Sequence, residues 1–472
     1  MKKTKIVATL GPACSGKDTL REMIREGVNV FRINFSHAGY DTIETWLSHI
    51  RELNAELNEH IAVMGDLQGP KLRLGKVQKK TVVKEGDLFV FTTRPCPGHS
   101  QCAHVTYSGF AEDVKPGERI LVDDGKLLFE ILETDHVSEV TTRVIRGGKL
   151  KSKKGVNLPD TDISQPALTA KDKEDAAFAI RHEFDWIALS FVRTPRDVKE
   201  LREFIDSKSP YKIPILAKIE KPEALEHIDS IIEAADGILV ARGDLGVEIP
   251  LHMVPVTQKE LVRKAKAMHK PVIIATQMMD SMIENPIPTR AEVNDVANSI
   301  MDGTDAVMLS GETSIGAYPV EVVKRMCDII RVTEDSPLIN LPHSSLDLTD
   351  DRYISRKICY HAVEVANDIN AKVISTLTHT GFTAFEISAG RPSAVVLAFT
   401  ANRRILSMLN LLWGTRAYYY DKLHSTDETI VDINKIAREK GLLNKGDYVI
   451  NLTSMPLKEL GKVNTMRITE IK

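Results

Sequence analysis

IPILAKIEKPEAL, residues 213–225, sets an ammonium and a carboxylate, Lys218 and Glu220, at the end of an apolar strand. Residues two apart on a strand face the same way, so both charges enter one site. A structural ion pair accounts for that, and so does a phosphate-plus-metal site. A second apolar strand, residues 237–241, runs straight into Arg242-Gly243-Asp244-Leu245-Gly246, so two strands deliver charge to one end. Working outward, apolar β-branched runs recur at 5–10, 28–35, 61–66, 186–191, 215–219, 238–241, 272–275 and 306–309. Amphipathic stretches separate them: PRDVKELREFI puts Val198, Leu201, Phe204 and Ile205 on one face, and EALEHIDSII does the same with Leu225, Ile228, Ile231 and Ile232. Eight such units imply a closed parallel (β/α)8 TIM barrel, an α/β fold whose chemistry sits at the C-terminal strand ends. Those ends carry Arg32 and Asn34, Asp66, Arg193, Lys218 and Glu220, Arg242 and Asp244, Thr276 and Gln277, and Ser310 and Glu312. Cations for phosphate, carboxylates for a hard divalent metal and a hydroxyl make up phosphoryl-transfer equipment. Any one of them alone reads equally well as a surface salt bridge, and their joint placement carries the case.

The pattern changes after the third strand. Short alternating strands with the turn signals KEGD, KPGE and DDGK mark a β-rich insertion at 69–170, leaving 1–68 and 171–340 as the barrel. The polar linker HSSLDLTDD then opens a separate α/β domain, 345–472. A net charge of −3 from 62 basic and 65 acidic residues gives no reason to expect nucleic acid or an anionic membrane as partner. No apolar run approaches a membrane span, and the N-terminal run before Gly11-Pro12 is too short for a signal peptide. Five scattered cysteines suit a reducing interior, so the expected compartment is the cytoplasm.

Two motifs compete for attention. GPACSGKD, residues 11–18, misses a phosphate-binding loop only at its last position, where Asp18 would repel phosphate; Ser15 as the cap of the following helix accounts for the same residues. Cys96, His99, Cys102 and His104 are competent zinc ligands, but their compact spacing lacks the usual separated pairs, and a metal-free loop is the better reading.

KIVATLGPA, FRINFSH, IPILAKIEKPEAL, VARGDLGVEIP, ATQMMDSM and PTRAEVNDVANSIMDGTDAVMLSGET together resemble the pyruvate kinase family, in order and over the whole chain. The resemblance implies a barrel interrupted by a small β-barrel lid and followed by a regulatory α/β domain, assembled as a cytoplasmic homotetramer. It implies transfer of a phosphoryl group from phosphoenolpyruvate to ADP, giving pyruvate and ATP. Lys218 resembles the lysine that stabilises the group in flight, and Thr276 a member of the proton path. Glu220 and Asp244 resemble the ligands of Mg2+ or Mn2+. Arg32 resembles the phosphate-binding arginine, and Gly243, Asp244 and Thr276 the carboxylate site. Arg73 and Lys154, at the two ends of the lid, match nucleotide-binding positions.

Two departures stand out. The family's D-T-K-G-P-E-I-R reads Asp66-Leu67-Gln68-Gly69-Pro70-Lys71-Leu72-Arg73 here. Lysine in place of that glutamate accompanies independence of potassium, although Asn34, Ser36, Asp66 and Leu67 match the monovalent-ion ligands; the ammonium of Lys71 would stand in for the ion. THTGFT, with Thr378, Thr380, Gly381 and Thr383, resembles the loop for a phosphorylated allosteric effector. SMPLKELGKVNTM differs from the bisphosphate-binding form, so a sugar monophosphate or AMP fits as well as fructose 1,6-bisphosphate. The alternatives from other classes are a magnesium-dependent lyase acting on phosphoenolpyruvate or pyruvate, and a non-catalytic sugar-phosphate sensor.

Overall fold

Strand β1 (Lys5–Thr9), β2 (Val30–Asn34), β3 (Ala62–Asp66), β4 (Trp186–Leu189), β5 (Ile215–Ile219), β6 (Gly237–Ala241), β7 (Val272–Ala275) and β8 (Ala306–Leu309) form a closed barrel, each parallel to the next and β8 to β1. The computed structural model describes residues 2–336, 352–422, 425–455 and 462–472; the linker HSSLDLTDD and residues 456–461 of SMPLKELGKVNTM lie outside them. All eight strands expected from the sequence are present, with ends shifted by no more than two residues. Their residues are buried almost throughout, since helices cover the barrel and side chains fill it, which is why the strands read as continuous apolar runs. The helix Pro195–Lys208 buries Val198, Leu201 and Ile205 as its periodicity requires. EALEHIDSII departs from a single helix: it breaks at His227 into Pro222–Glu226 and Ile228–Ala234.

The insertion after β3 forms a six-stranded mixed sheet over a core containing Phe89, Phe91, Phe110 and Phe129. Its edge strands, Cys102–His104 and Val156–Asn157, are both bridged by the Arg73-Leu74 segment, which curls the sheet towards closure. The two ends of the insertion are tied together at the barrel. Asp172 Oδ1 accepts from Gly69 N–H at 3.0 Å, while Asp172 also completes a capping box with Thr169 at the start of the next helix. Gly69 has φ +65° and a Cβ there would lie 2.7 Å from the Phe191 ring, so the chain turns out of the barrel only with glycine.

In the C-terminal domain β9 (Val373–Leu377), β10 (Val395–Thr400), β11 (Thr415–Tyr419), β12 (Tyr448–Thr453) and β13 (Thr465–Glu470) stand in the order β11-β10-β9-β12-β13, the last antiparallel. This domain closes the foot of the barrel. Barrel-interior Val7, Leu216 and Ile273 belong to one apolar cluster with Leu406, Leu409 and Leu411. Polar contacts fix the seat: Trp186 Nε1 donates to Met408 O at 3.0 Å, and Lys5 Nζ to Thr415 O at 2.7 Å.

Trp186 is fully buried at this junction. Trp186→Ala should therefore cost about 3–5 kcal/mol of unfolding free energy, read as an earlier urea midpoint; a change below about 1 kcal/mol would contradict the seat described.

Candidate active site

Lys218 Nζ lies 2.9 Å from Glu220 Oε1 and 3.2 Å from Asp66 Oδ1, and donates to Ser190 Oγ at 2.7 Å. Arg32 reaches Asp66 Oδ2 through Nε and Nη2, both at 2.7 Å, and donates to Thr9 Oγ1 at 3.0 Å. All four charged groups are buried, and two cations balance two carboxylates. Burial alone would lower Lys218, but Asp66 and Glu220 beside it outweigh that and hold it charged, above the usual range. Burial would raise Asp66, yet Lys218 and Arg32 keep it below the ordinary value. Glu220 is raised: burial pushes it up, Lys218 opposes, and the Asp244 carboxylate adds repulsion. Ser190, which the sequence reading missed, links Lys218 to Leu67 O at 2.7 Å; its only signal was a hydroxyl directly after an apolar strand.

The second cluster is built on backbone strain. Thr276 and Gln277 follow β7 with φ of +71° and +54°, a region a β-branched residue rarely enters. Arg242 holds that turn: Nη2 donates to Thr276 O at 2.8 Å, while Nη1 pairs with Asp295 Oδ1 at 2.7 Å. Thr276 Oγ1 accepts from Gly243 N–H at 2.6 Å, so two groups assigned to one anion from the sequence already face each other. Arg242 thus serves the turn rather than the cleft. Two other strand-end charges also turn away. Arg193 donates to Ile163 O and Gln165 O near the end of the insertion, and Glu312 accepts from Met279 and Ser310 N–H.

These groups open onto a cleft of about 370 Å³ whose lining includes Arg32, Asn34, Lys71, Arg73, Lys218 and Thr276. Lys71 Nζ stands 3.6 Å from Asp244 Oδ1, inside the cleft. Asn34 Oδ1 accepts from Ser36 N–H at 2.9 Å. Lys154 points instead to Asp123 Oδ1 at 2.8 Å, although its carbonyl accepts from Leu74 N–H, next to Arg73. The carboxylates of Glu220 and Asp244 both line this cleft, with Asp66 beneath Lys218 and Arg32. Among the described residues there is no group of three or more His, Cys, Asp or Glu that could hold a metal ion.

The competing motifs resolve differently. Lys17 pairs with Glu52 at 2.7 Å on a neighbouring helix, away from any phosphate cradle. Gly16, not Ser15, caps the helix Lys17–Glu26; Ser15 Oγ donates to Pro12 O. Cys96 and Cys102 lie 4.0 Å apart as free thiols, and His99 Nδ1 accepts from Gln101 N–H. In the C-terminal domain Thr378 Oγ1 accepts from Gly381 N–H, which has φ +88°, and Thr383 is buried against Thr376; Thr380 belongs to the same turn.

Comparison with known proteins supplies a family. Models of the pyruvate kinase barrel domain and of the pyruvate kinase alpha/beta domain match residues 1–323 and 356–469. Pyruvate kinase 2 of Synechocystis sp. is 41% identical, covering 100% of this chain and 80% of that protein. The Thermotoga maritima pyruvate kinase is 39% identical with 100% of both chains covered. A crystal structure of a pyruvate kinase from Cryptosporidium parvum superposes with a TM-score of 0.91 at 34% identity, over 100% of this chain and 96% of that one.

Removing the Arg242 clamp should misplace Thr276 and Gly243 together. Arg242→Gln is expected to lower kcat/KM by about a hundredfold while moving the thermal midpoint by only a few degrees. Arg242→Lys should recover little, since one ammonium cannot span Asp295 and Thr276 O. Steady-state kinetics beside a melting curve decide it: activity lost only in step with the melting point would make Arg242 a purely structural residue.

Proposed function

The chain belongs to the pyruvate kinase family, and from that premise we propose how its own residues divide the work of the last step of glycolysis. The reaction moves the phosphoryl group of phosphoenolpyruvate to ADP, and neither the lyase nor the sensor reading is favoured by any observation. We assign catalysis to the barrel segments 1–68 and 171–340, lid duty to 69–170 and regulation to 345–472.

The mechanism is mainly electrostatic. Breaking the bond between phosphorus and the enol oxygen leaves an enolate, and negative charge develops on the oxygens of the transferring group. Lys218 meets that charge; what carries this reading is its ammonium, buried yet held charged between Asp66 and Glu220 at the end of β5. Arg32, fixed by Asp66 and Thr9, binds the substrate phosphate. The N–H groups of Gly243 and Asp244 and the hydroxyl of Thr276 take the carboxylate, so substrate would replace the Gly243–Thr276 contact. Glu220 and Asp244 would hold a divalent cation, Mg2+ or Mn2+, which when bound supplies Lewis-acid stabilisation of enolate and phosphoryl oxygens. Burial chiefly raises Glu220, and the Asp244 carboxylate adds to it, which suits a cation placed between them. Protonation at carbon, through water ordered by Thr276, then completes pyruvate.

Arg73 and Lys154 meet the nucleotide when the lid closes and excludes water; Lys154 must first leave Asp123. A phosphorylated effector is assigned to Thr378, Thr380, Gly381 and Thr383. Association as a homotetramer and cytoplasmic residence complete the reading; no helix among the described residues is long and apolar enough to cross a membrane.

The monovalent-ion site, Asn34, Ser36, Asp66 and Leu67, is dispensable on this reading. Asp66 already meets two cations, Leu67 O accepts from Ser190, and Lys71 brings fixed positive charge to the cleft.

Lys218→Met should lower kcat by about 10² or more with little change in substrate KM, measured with phosphoenolpyruvate and ADP; retention of most turnover would sink the assignment. The wild-type enzyme should run at nearly full rate in potassium-free buffer. Lys71→Glu should create a requirement, because a new carboxylate beside Asp244 leaves charge that a monovalent ion neutralises. A wild-type enzyme nearly inactive until potassium is added would refute the substitution of ammonium for ion.

A further inference from the structure

The Cys96, His99, Cys102 and His104 motif, which the catalytic assignment leaves unused, folds in the lid as a pair of thiols rather than a metal cage. Cys102 opens the edge strand Cys102–His104, which pairs in parallel with the strand Leu88–Thr92. The loop ahead of it turns back on itself, His99 N–H donating to Cys102 O at 2.8 Å, and brings Cys96 Sγ to 4.0 Å from Cys102 Sγ. Gln101 N–H occupies His99 Nδ1, and a Cβ on Gly75 would lie 2.7 Å from His104 Nδ1, so that ring packs on the neighbouring backbone. Both thiols are half-buried, while Arg94, Pro95, Pro97 and Ser100 around them are exposed. The other three cysteines, Cys14, Cys327 and Cys359, are buried.

Side-chain rotation suffices to bring two sulfurs at 4.0 Å to bonding distance. The loop between them is already closed by Gly98, whose N–H donates to Lys76 O at 2.7 Å and whose carbonyl accepts from Gln78 N–H at 2.9 Å. A cross-link there needs little further ordering of the chain. Adjacent thiols kept reduced respond to oxidants rather than staple a fold. The two sulfurs are not equivalent. Burial, with the Cys96 sulfur adding to it, pushes the Cys102 thiol up to about 11, so Cys102 is the protonated partner near neutral pH. Cys96, flanked by exposed Pro95 and Pro97, is left to open an exchange.

We propose that Cys96 and Cys102 form a redox-active dithiol, a modification site that a low-molecular-weight disulfide converts to a Cys96–Cys102 disulfide on the lid. The Cys96 thiolate attacks one sulfur of the reagent, forming a mixed disulfide and releasing one reagent thiolate. Cys102 then gives up its proton, and its sulfur attacks Cys96 Sγ, expelling the second reagent thiolate as the new bond forms. Two electrons pass from the protein to the reagent, which leaves as two thiols. Position gives the bond its consequence. His104 O accepts from Gly75 N–H at 2.8 Å, Arg73 O accepts from Thr106 N–H at 2.9 Å, and Arg73 N–H donates to Thr106 Oγ1 at 3.1 Å. Oxidation therefore constrains the edge from which Arg73 lines the cleft. Resting on the nucleotide reading of Arg73, the bond bears on ADP rather than on phosphoenolpyruvate.

Incubation of the reduced full-length protein with glutathione disulfide, followed by intact-mass measurement and peptide mapping without reductant, tests the chemistry apart from activity. The product should lack two hydrogens and carry the Cys96–Cys102 link, with Cys14, Cys327 and Cys359 still free. Cys102→Ser should stop at the mixed disulfide, with one reagent thiol on Cys96. Cys96→Ser should take up the reagent at least about tenfold more slowly than Cys102→Ser. In the oxidised wild type the KM for ADP should shift by at least about twofold with the KM for phosphoenolpyruvate unchanged, and dithiothreitol should reverse the shift. The variant carrying both serines should keep the turnover of the reduced enzyme and ignore the oxidant. Survival of all five thiols, or a link through any of the three buried cysteines, overturns the site. A disulfide formed with no shift in the KM for ADP overturns its bearing on the lid; Arg73→Gln, which should raise that KM, tells this failure apart from a failure of the nucleotide reading.

Discussion

A buried ammonium between two buried carboxylates is the constraint from which the barrel's working end is organised. Burial alone disfavours the charged form of Lys218; Asp66 and Glu220 beside it keep it charged, and Arg32 then neutralises the carboxylate left in excess. These four side chains come from β2, β3 and β5 and the residue just beyond it, so the barrel must close in the right register for any of them to be tolerated. Removing one partner would leave an unpaired buried charge, which costs far more than the pair contributes. The site is therefore coupled to the fold that carries it.

Around that balanced set lies charge that is less settled. Burial, with the Asp244 carboxylate adding to it, raises Glu220, and Asp244 stands 3.6 Å from Lys71. Two carboxylates that repel one another, with one loosely held ammonium nearby, form a place that gains by taking in a cation. The same turn brings Gly243 N–H against a threonine held at φ +71°. Strain of that kind persists only where the surroundings impose it, and here Arg242 and Asp295 do so.

Much of this was legible in the sequence because it depends on strand periodicity. Lys218 and Glu220 two apart on an apolar strand had to share a face, and they meet at 2.9 Å. The eight apolar runs gave the barrel for the same reason, and turn signals marked the insertion. What could not be read was side-chain direction beyond the strand ends. Arg193, Arg242 and Glu312 looked equivalent to Lys218 in sequence, yet each folds back to satisfy loop backbone. Ser190 was invisible for the opposite reason, since a lone serine has no periodic signature. The cap of the first helix was misplaced by one residue, Gly16 taking the position expected for Ser15, because loop geometry after Pro12 is not encoded in side-chain type.

The two ends of the barrel are less separate than their chemistry suggests. The apolar side chains that fill its interior form one cluster with those of the C-terminal domain, pinned by the hydrogen bonds of Trp186 and Lys5 at the junction. Close-packed interiors transmit displacement rather than absorb it. β3 joins the two ends directly: it starts beside His60, whose carbonyl accepts from Asn410 of the C-terminal domain at 2.9 Å, and ends at Asp66. A change in how the domains seat against each other would thus reach the carboxylate that holds both Arg32 and Lys218.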